Sequence, residues 1–166
     1  RPGMAYPSII GRHMQRPVIN LGFSGNGKMD PELATLIAPL DVSVYVIDCA
    51  PNMGPELITE RTEPLVHALR AAHPDTPIVL VENITYQQSW FVDAKGKSYK
   101  DKNAALYSAY QRLIGEGVKN LYYIPGDRLL GDDYEATVDG THPTDVGFLR
   151  MAEVIEPVLR HILKQH

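Results

Sequence analysis

A single cysteine, Cys49, stands among 166 residues, so the chain can form no internal disulfide and no cysteine-built zinc or iron–sulfur site. Long apolar runs are missing too. Stretches such as Pro77-Ile78-Val79-Leu80-Val81 fall far short of the roughly 18 residues needed to cross a bilayer, which excludes a membrane-spanning helix. Basic charge is scarce: 16 lysines and arginines against 20 acids give a net charge of −4. Without a basic run the chain lacks the footprint of a protein that neutralises many phosphates, which argues against nucleic acid as a partner. Its start, Arg1-Pro2-Gly3, is neither an initiator methionine nor a signal peptide, which would set an apolar segment behind a charged one. The sequence therefore reads as cut at its front.

What is present suits one globular domain, with 44% apolar and 22% charged residues and a length near that of a typical single domain. Predicted elements alternate between helix and strand, which points to a layered α/β domain over residues 1–166. Met4, Ile9, Ile10 and Met14 sit at helical spacing, and Arg16-Pro17 ends that helix. Val18–Leu21 reads as a strand running into the turn Gly22-Phe23-Ser24-Gly25-Asn26-Gly27. Asp30-Pro31 starts a helix to about Ile37, and Val42–Asp48 is a β-branched strand covered on both faces. Helix from Glu56 to about His73, strand at Ile78–Val81, a polar and aromatic loop from Asn83 to about Ser98, and helix from Asp101 to Glu116 follow. Leu121–Ile124 completes a set of four strands, and Thr144 caps a last helix to about Lys164 that Pro157 should kink. Short connections between buried strands predict a parallel sheet with helices on both faces and a ligand site at the strands' carboxyl ends.

The loop before the last helix holds Asp139-Gly140-Thr141-His142-Pro143. An acid placed just ahead of a histidine in a turn can accept from imidazole Nδ1–H and free the other nitrogen to act as a base. The bland alternative is a turn histidine bonded to its neighbour for structure alone. The other histidines have poorer contexts: His67 and His73 lie on or at the end of a helix, and His161 and His166 fall near the chain end, where exposure is expected.

The turn Gly22–Gly27 has three readings. It could cradle a phosphate, but it is neither G-x-G-x-x-G nor a P-loop with its lysine. It approaches a G-x-S-x-G nucleophile elbow, but Asn26 stands where the second glycine belongs. Its backbone N–H groups could instead bind an oxyanion, because glycine lets the main chain approach a substrate, and Asn52 after the next strand could add an amide donor. Ser24 is the serine best placed to act as a nucleophile; Ser8, Ser43, Ser98 and Ser108 read as surface or capping residues. Trp90, Tyr86 and Phe91 could line an acyl or sugar subsite or pack their own loop. Cys49 reads as a small buried hydrophobe, and Asp127, Asp132, Asp133 and Glu135 read as a solvated acidic loop.

Taken in order, Asn20-Leu-Gly-Phe-Ser-Gly25, Asp48–Asn52 and Asp139-Gly-Thr-His-Pro143 resemble the second, third and fifth sequence blocks of the SGNH, or GDSL-type, hydrolases. The likeness covers nearly the whole chain, and Arg1-Pro-Gly-Met-Ala-Tyr-Pro7 is similar to the segment that follows the nucleophile block in bacterial members. It implies a three-layer α/β/α sandwich with a parallel, flavodoxin-like sheet. It further implies an ester hydrolase with His142 as general base, Asp139 as its orienting carboxylate, and the Gly25 N–H and Asn52 amide as oxyanion donors. Ser24, Asn26 and Trp90 are candidates for the substrate loop. No metal or organic cofactor is implied, and the substrate would be a small-molecule or carbohydrate ester. Many members of the family are exported, which leans the compartment toward secreted or periplasmic.

One block departs from the pattern. The strand ending in G-D-S or G-T-S, which carries the nucleophilic serine and sits centrally in such sheets, is absent. Without it two strands would face an open slot with unpaired backbone groups, each costing about 1–3 kcal/mol when buried. The expectation is an upstream segment of the same protein that completes the sheet and carries the serine. The competing readings are a catalytically silent flavodoxin-like binding module, and a nucleotide or phosphate binder that uses Gly22–Gly27.

Overall fold

The computed structural model describes residues 2–165; Arg1 and His166, named in the sequence reading, lie outside them. After a short 3-10 turn at Pro2–Met4, the helices are α1 (Tyr6–Met14), α2 (Pro31–Ile37), α3 (Pro55–Ala72), α4 (Asp93–Gly115) and α5 (Asp145–Gln165). They alternate with strands β1 (Tyr45–Ile47), β2 (Ile78–Val81) and β3 (Leu121–Ile124). The strands form one parallel sheet in the order β1-β2-β3, with Tyr45 opposite Ile78 and Ile78 opposite Leu121. Parallel pairing of consecutive strands requires a crossover, and α3 and α4 supply the two helical crossovers.

Contacts sort the chain into two compact units. The first comprises the chain up to Gly22, Ile84–Tyr99 and Pro125 onward, and the second Phe23–Asn83 and Lys100–Ile124. The second unit holds the sheet. Its core gathers Ile58, Leu65, Val66 and Leu69 from α3, Ile78 and Leu80 from β2, and Leu106 and Leu113 from α4. All four residues of β2 are buried, as a central parallel strand requires. In the first unit α1 packs on α5. The buried residues Met151, Ala152, Ile155, Leu159 and Ile162 recur at the spacing that gives α5 one apolar stripe. At its start Thr144 Oγ1 accepts the Gly147 N–H at 3.3 Å, the N-cap bond that the sequence predicts.

Three expectations change. Val18–Leu21 is not a strand: among the described residues nothing pairs with it, and Val18, Ile19 and Leu21 are 46%, 62% and 39% exposed. A strand is stabilised by its neighbours' hydrogen bonds and side chains rather than by its own β-branched residues. The strand expected over Val42–Asp48 shrinks to Tyr45–Ile47 for a related reason, since among the described residues β1 pairs with β2 alone. Finally, α4 begins at Asp93 rather than Asp101. Gly96 and the preceding aromatic cluster disguise its first turns, although Gly96 is buried and a Cβ there would sit 3.4 Å from the Ser89 carbonyl.

Candidate active site

The turn before α5 is built by hydrogen bonds to a single carboxylate. Asp139 Oδ1 accepts the backbone N–H of Thr141 at 3.0 Å and of His142 at 2.8 Å. Its Oδ2 lies 2.7 Å from His142 Nδ1. An aspartate that bonds backbone N–H groups two and three residues ahead is an Asx turn, so the local sequence dictates the geometry. The His142 N–H, the imidazole and the Thr141 N–H all favour the ionised carboxyl, which they hold well below the usual carboxylate range. An ionised carboxylate only accepts, so His142 Nδ1 carries a proton, and in the neutral ring the lone pair is on Nε2. The imidazole side chain is 78% exposed, and none of the described residues bonds its Nε2.

The same stretch closes on itself. The Val138 N–H donates to the His142 carbonyl at 2.8 Å, and the Thr144 N–H to the Ala136 carbonyl at 2.9 Å. Asp133 in the acidic loop is committed to a two-pronged pair with Arg150, at 2.5 and 2.6 Å, and that guanidinium lowers its carboxyl to about 2. Of the aromatic loop, Tyr86 is buried and meets the Tyr99 ring edge-on. Trp90 and Phe91, by contrast, stand 71% and 61% exposed with ring centroids 4.8 Å apart.

The Gly22–Gly27 turn, which belongs to the other unit from Phe23 on, is tightened by the N–H groups of Asn26 and Gly27, both donating to the Phe23 carbonyl. Asn26 Nδ2 donates to the Ser24 carbonyl at 3.1 Å, so its side chain serves the turn. Gly25 has φ +68° with nothing within 4 Å of a Cβ position, and glycine suits this left-handed conformation. The 3-10 turn Ala50–Asn52 after β1 brings Asn52 to the same loop, where Nδ2 makes a long 3.5 Å contact with the Gly27 carbonyl. Cys49 is partly buried, and burial pushes its thiol up to about 11, which makes it inert as a nucleophile at neutral pH. Ser8 and Ser108 spend their hydroxyls on the carbonyls of Pro2 and Ala104. His67 pairs with Glu116 and His73 with the Ala38 carbonyl.

Apart from Trp90 in the aromatic loop, the predicted residues thus fall into two groups, Asp139 with His142 and the glycine turn with Asn52. Sequence reasoning missed Gln87 and Gln88, which hydrogen-bond the histidine turn from the aromatic loop. No spacing signal marks them, because they lie about fifty residues from their partners.

Comparison with known proteins decides the family: the model of the GDSL-like lipase/acylhydrolase family matches residues 1–160. The chain belongs to that family. It is 44% identical to a Bacteroides ovatus protein provisionally assigned as a GDSL-like lipase, whose crystal structure superposes with a TM-score of 0.94 over 99% of this chain and 49% of that one. Two more distant structures share the fold of this GDSL-family chain. A salicylyl-acyltransferase from a tetracycline biosynthetic pathway has 22% identity and TM-score 0.80, over 97% of this chain and 49% of the other. A family two carbohydrate esterase from Clostridium thermocellum, solved with cellohexaose, has 16% identity and TM-score 0.71, over 98% and 55%. The GDSL-family chain therefore spans about half the length of the first two structures it matches. No curated protein matches it.

Proposed function

We propose that the protein containing this chain is a serine ester hydrolase that works by acyl transfer, with His142 as its general base. The observation that carries the reading is the 2.7 Å contact between Asp139 Oδ2 and His142 Nδ1 on a carboxylate already fixed by two backbone donors. That arrangement sets the tautomer and leaves Nε2 as an exposed base. As the nucleophilic hydroxyl bonds to the ester carbonyl carbon, His142 Nε2 takes its proton and later returns it to the departing alcohol. Water then repeats the sequence on the acyl-enzyme.

Gly25 and Asn52 are assigned to oxyanion stabilisation, Gly25 through its backbone N–H and Asn52 through an amide whose protein contact is long. The serine is assigned to a segment of the protein outside these residues. One feature supports that assignment: among the described residues β1 stands at the edge of the sheet, with β2 on one side and no strand on the other. The carbohydrate esterase among the related folds and the exposed Trp90–Phe91 pair favour an acylated sugar or a similar small ester as substrate. Aromatic faces suit sugar rings and acyl groups alike.

A fluorophosphonate probe on the full-length protein, followed by peptide mapping, tests the reading. The expected result is one adduct, on a serine outside residues 1–166, that forms far more slowly in His142→Ala. An adduct on Ser24 would reassign the nucleophile, and no adduct with no ester hydrolysis would leave a silent binding module.

A further inference from the structure

His142 has little side-chain packing to hold it, being 78% exposed, so the position of its ring follows the backbone of its turn. We propose that Gln87 and Gln88 are positioning residues that clamp that turn to the aromatic loop and so fix the orientation of the His142 imidazole. The proposal rests on His142 serving as the base.

Gln87 is 6% exposed, and its Oε1 accepts twice, from the Ala136 N–H at 3.1 Å and from the Thr137 hydroxyl at 2.8 Å. Having donated its only proton, the Thr137 hydroxyl accepts the Gly140 N–H at 3.0 Å. A chain of bonds therefore runs from a buried amide through Thr137 into the loop between Asp139 and His142. Gln88 grips the far side. Its Nε2 donates to the Thr141 hydroxyl at 2.8 Å, and its side chain lies across Gly140, where a Cβ would sit 2.7 Å from Gln88 Cβ and 2.9 Å from its Cγ. Gly140 also has φ +81°, so the clamp and the backbone conformation both demand glycine there.

One detail separates this clamp from ordinary packing. Gln87 Nε2 is buried without a hydrogen-bond partner, a cost that an apolar residue would avoid. What glutamine provides in exchange is the acceptor oxygen, and that oxygen serves only the residues leading into the turn. Because Trp90 and Phe91 follow Gln88 in the loop with only Ser89 between, the clamp also ties the exposed aromatic pair to the same turn as the base.

The test uses the full-length protein with Gln87→Met, which keeps the volume and loses the acceptor, Gln87→Glu, which keeps the acceptor, and Thr137→Val, which removes the relay hydroxyl. For p-nitrophenyl acetate, Gln87→Met and Thr137→Val should lower kcat by about 10- to 100-fold, the scale of a misplaced catalytic group, with KM unchanged and Gln87→Glu close to wild type. Two-bond proton–nitrogen spectra of the histidine rings supply a readout independent of turnover: His142 should hold the Nδ1–H tautomer in wild type and Gln87→Glu, and a tautomer mixture in Gln87→Met. Folded Gln87→Met with wild-type kcat and spectrum would overturn the clamp, as would equal losses in all three variants with an unchanged His142 spectrum. Should Gln87→Met not fold, Thr137→Val decides the question by the same two readouts. Wild-type protein that hydrolyses no ester would defeat the hydrolase reading, while the spectra would still judge the clamp.

Discussion

Asp139 grips His142 at two points, through the backbone N–H at 2.8 Å and the imidazole Nδ1 at 2.7 Å, so one carboxylate sets both the turn and the tautomer. Asp139→Asn retains an acceptor oxygen and adds an amide donor that competes for the ring. In the full-length protein this substitution should lower kcat for p-nitrophenyl acetate by about 10²–10⁴-fold, as loss of the orienting acid does in triads of this type. Steady-state kinetics with KM near wild type checks it.

The three donors to Asp139, with the His142 N–H foremost, hold its carboxyl below the usual carboxylate range. A group whose pKa is depressed by folding contributes stability above its unfolded value, near 3.9 for aspartate, and loses it only as pH falls through the lower folded value. The turn should therefore persist as pH is lowered from 7 to about 4. Carbon NMR of the Asp139 carboxyl should show its titration below that of a free aspartate. A titration at the ordinary value would mean that the turn is not formed in solution.

Gly140→Ala should be costly and Gly115→Ala should not. The first forces a side chain onto φ +81° and into Gln88 at 2.7 Å, whereas nothing lies within 4 Å of a Cβ at Gly115. Thermal unfolding should register a loss of about 1–3 kcal/mol for Gly140→Ala, and no loss for Gly115→Ala, where alanine is the better helix residue.

Trp90→Ala removes an exposed ring, 71% accessible, and should leave the melting temperature within error. If the Trp90–Phe91 pair seats the substrate, KM for aryl or sugar esters should rise by about 3- to 10-fold, the worth of one aromatic contact, with kcat nearly constant. An unchanged KM across a panel of such esters would remove Trp90 from the substrate loop.

Elements with a complete local signature were legible in the sequence. Ile78–Val81 and Leu121–Ile124 are strands as read, because short apolar runs between turn residues leave little else for a central parallel strand to be. Asp30-Pro31 and Thr144 mark the starts of α2 and α5. The pairing of Asp139 with His142 was legible for the same reason, since an Asx turn is a property of adjacent residues. Val18–Leu21 was not, because pairing with a neighbouring strand, which its own residues do not encode, decides whether it is a strand. Gln87 and Gln88 carry no motif, and only folding brings them to Thr137 and Thr141. Tyr86 and Trp90 look alike in sequence, yet one is buried and the other exposed, a difference set by which side of the loop packs inward.

The most direct test of the central claim is the kcat/KM of full-length His142→Ala against wild type with p-nitrophenyl acetate. Loss of the base should cost at least about 10³-fold, the scale seen when a triad member is removed, while the fold, read by circular dichroism, is unchanged. A folded variant that retains wild-type kcat/KM would contradict the assignment of His142 as the general base.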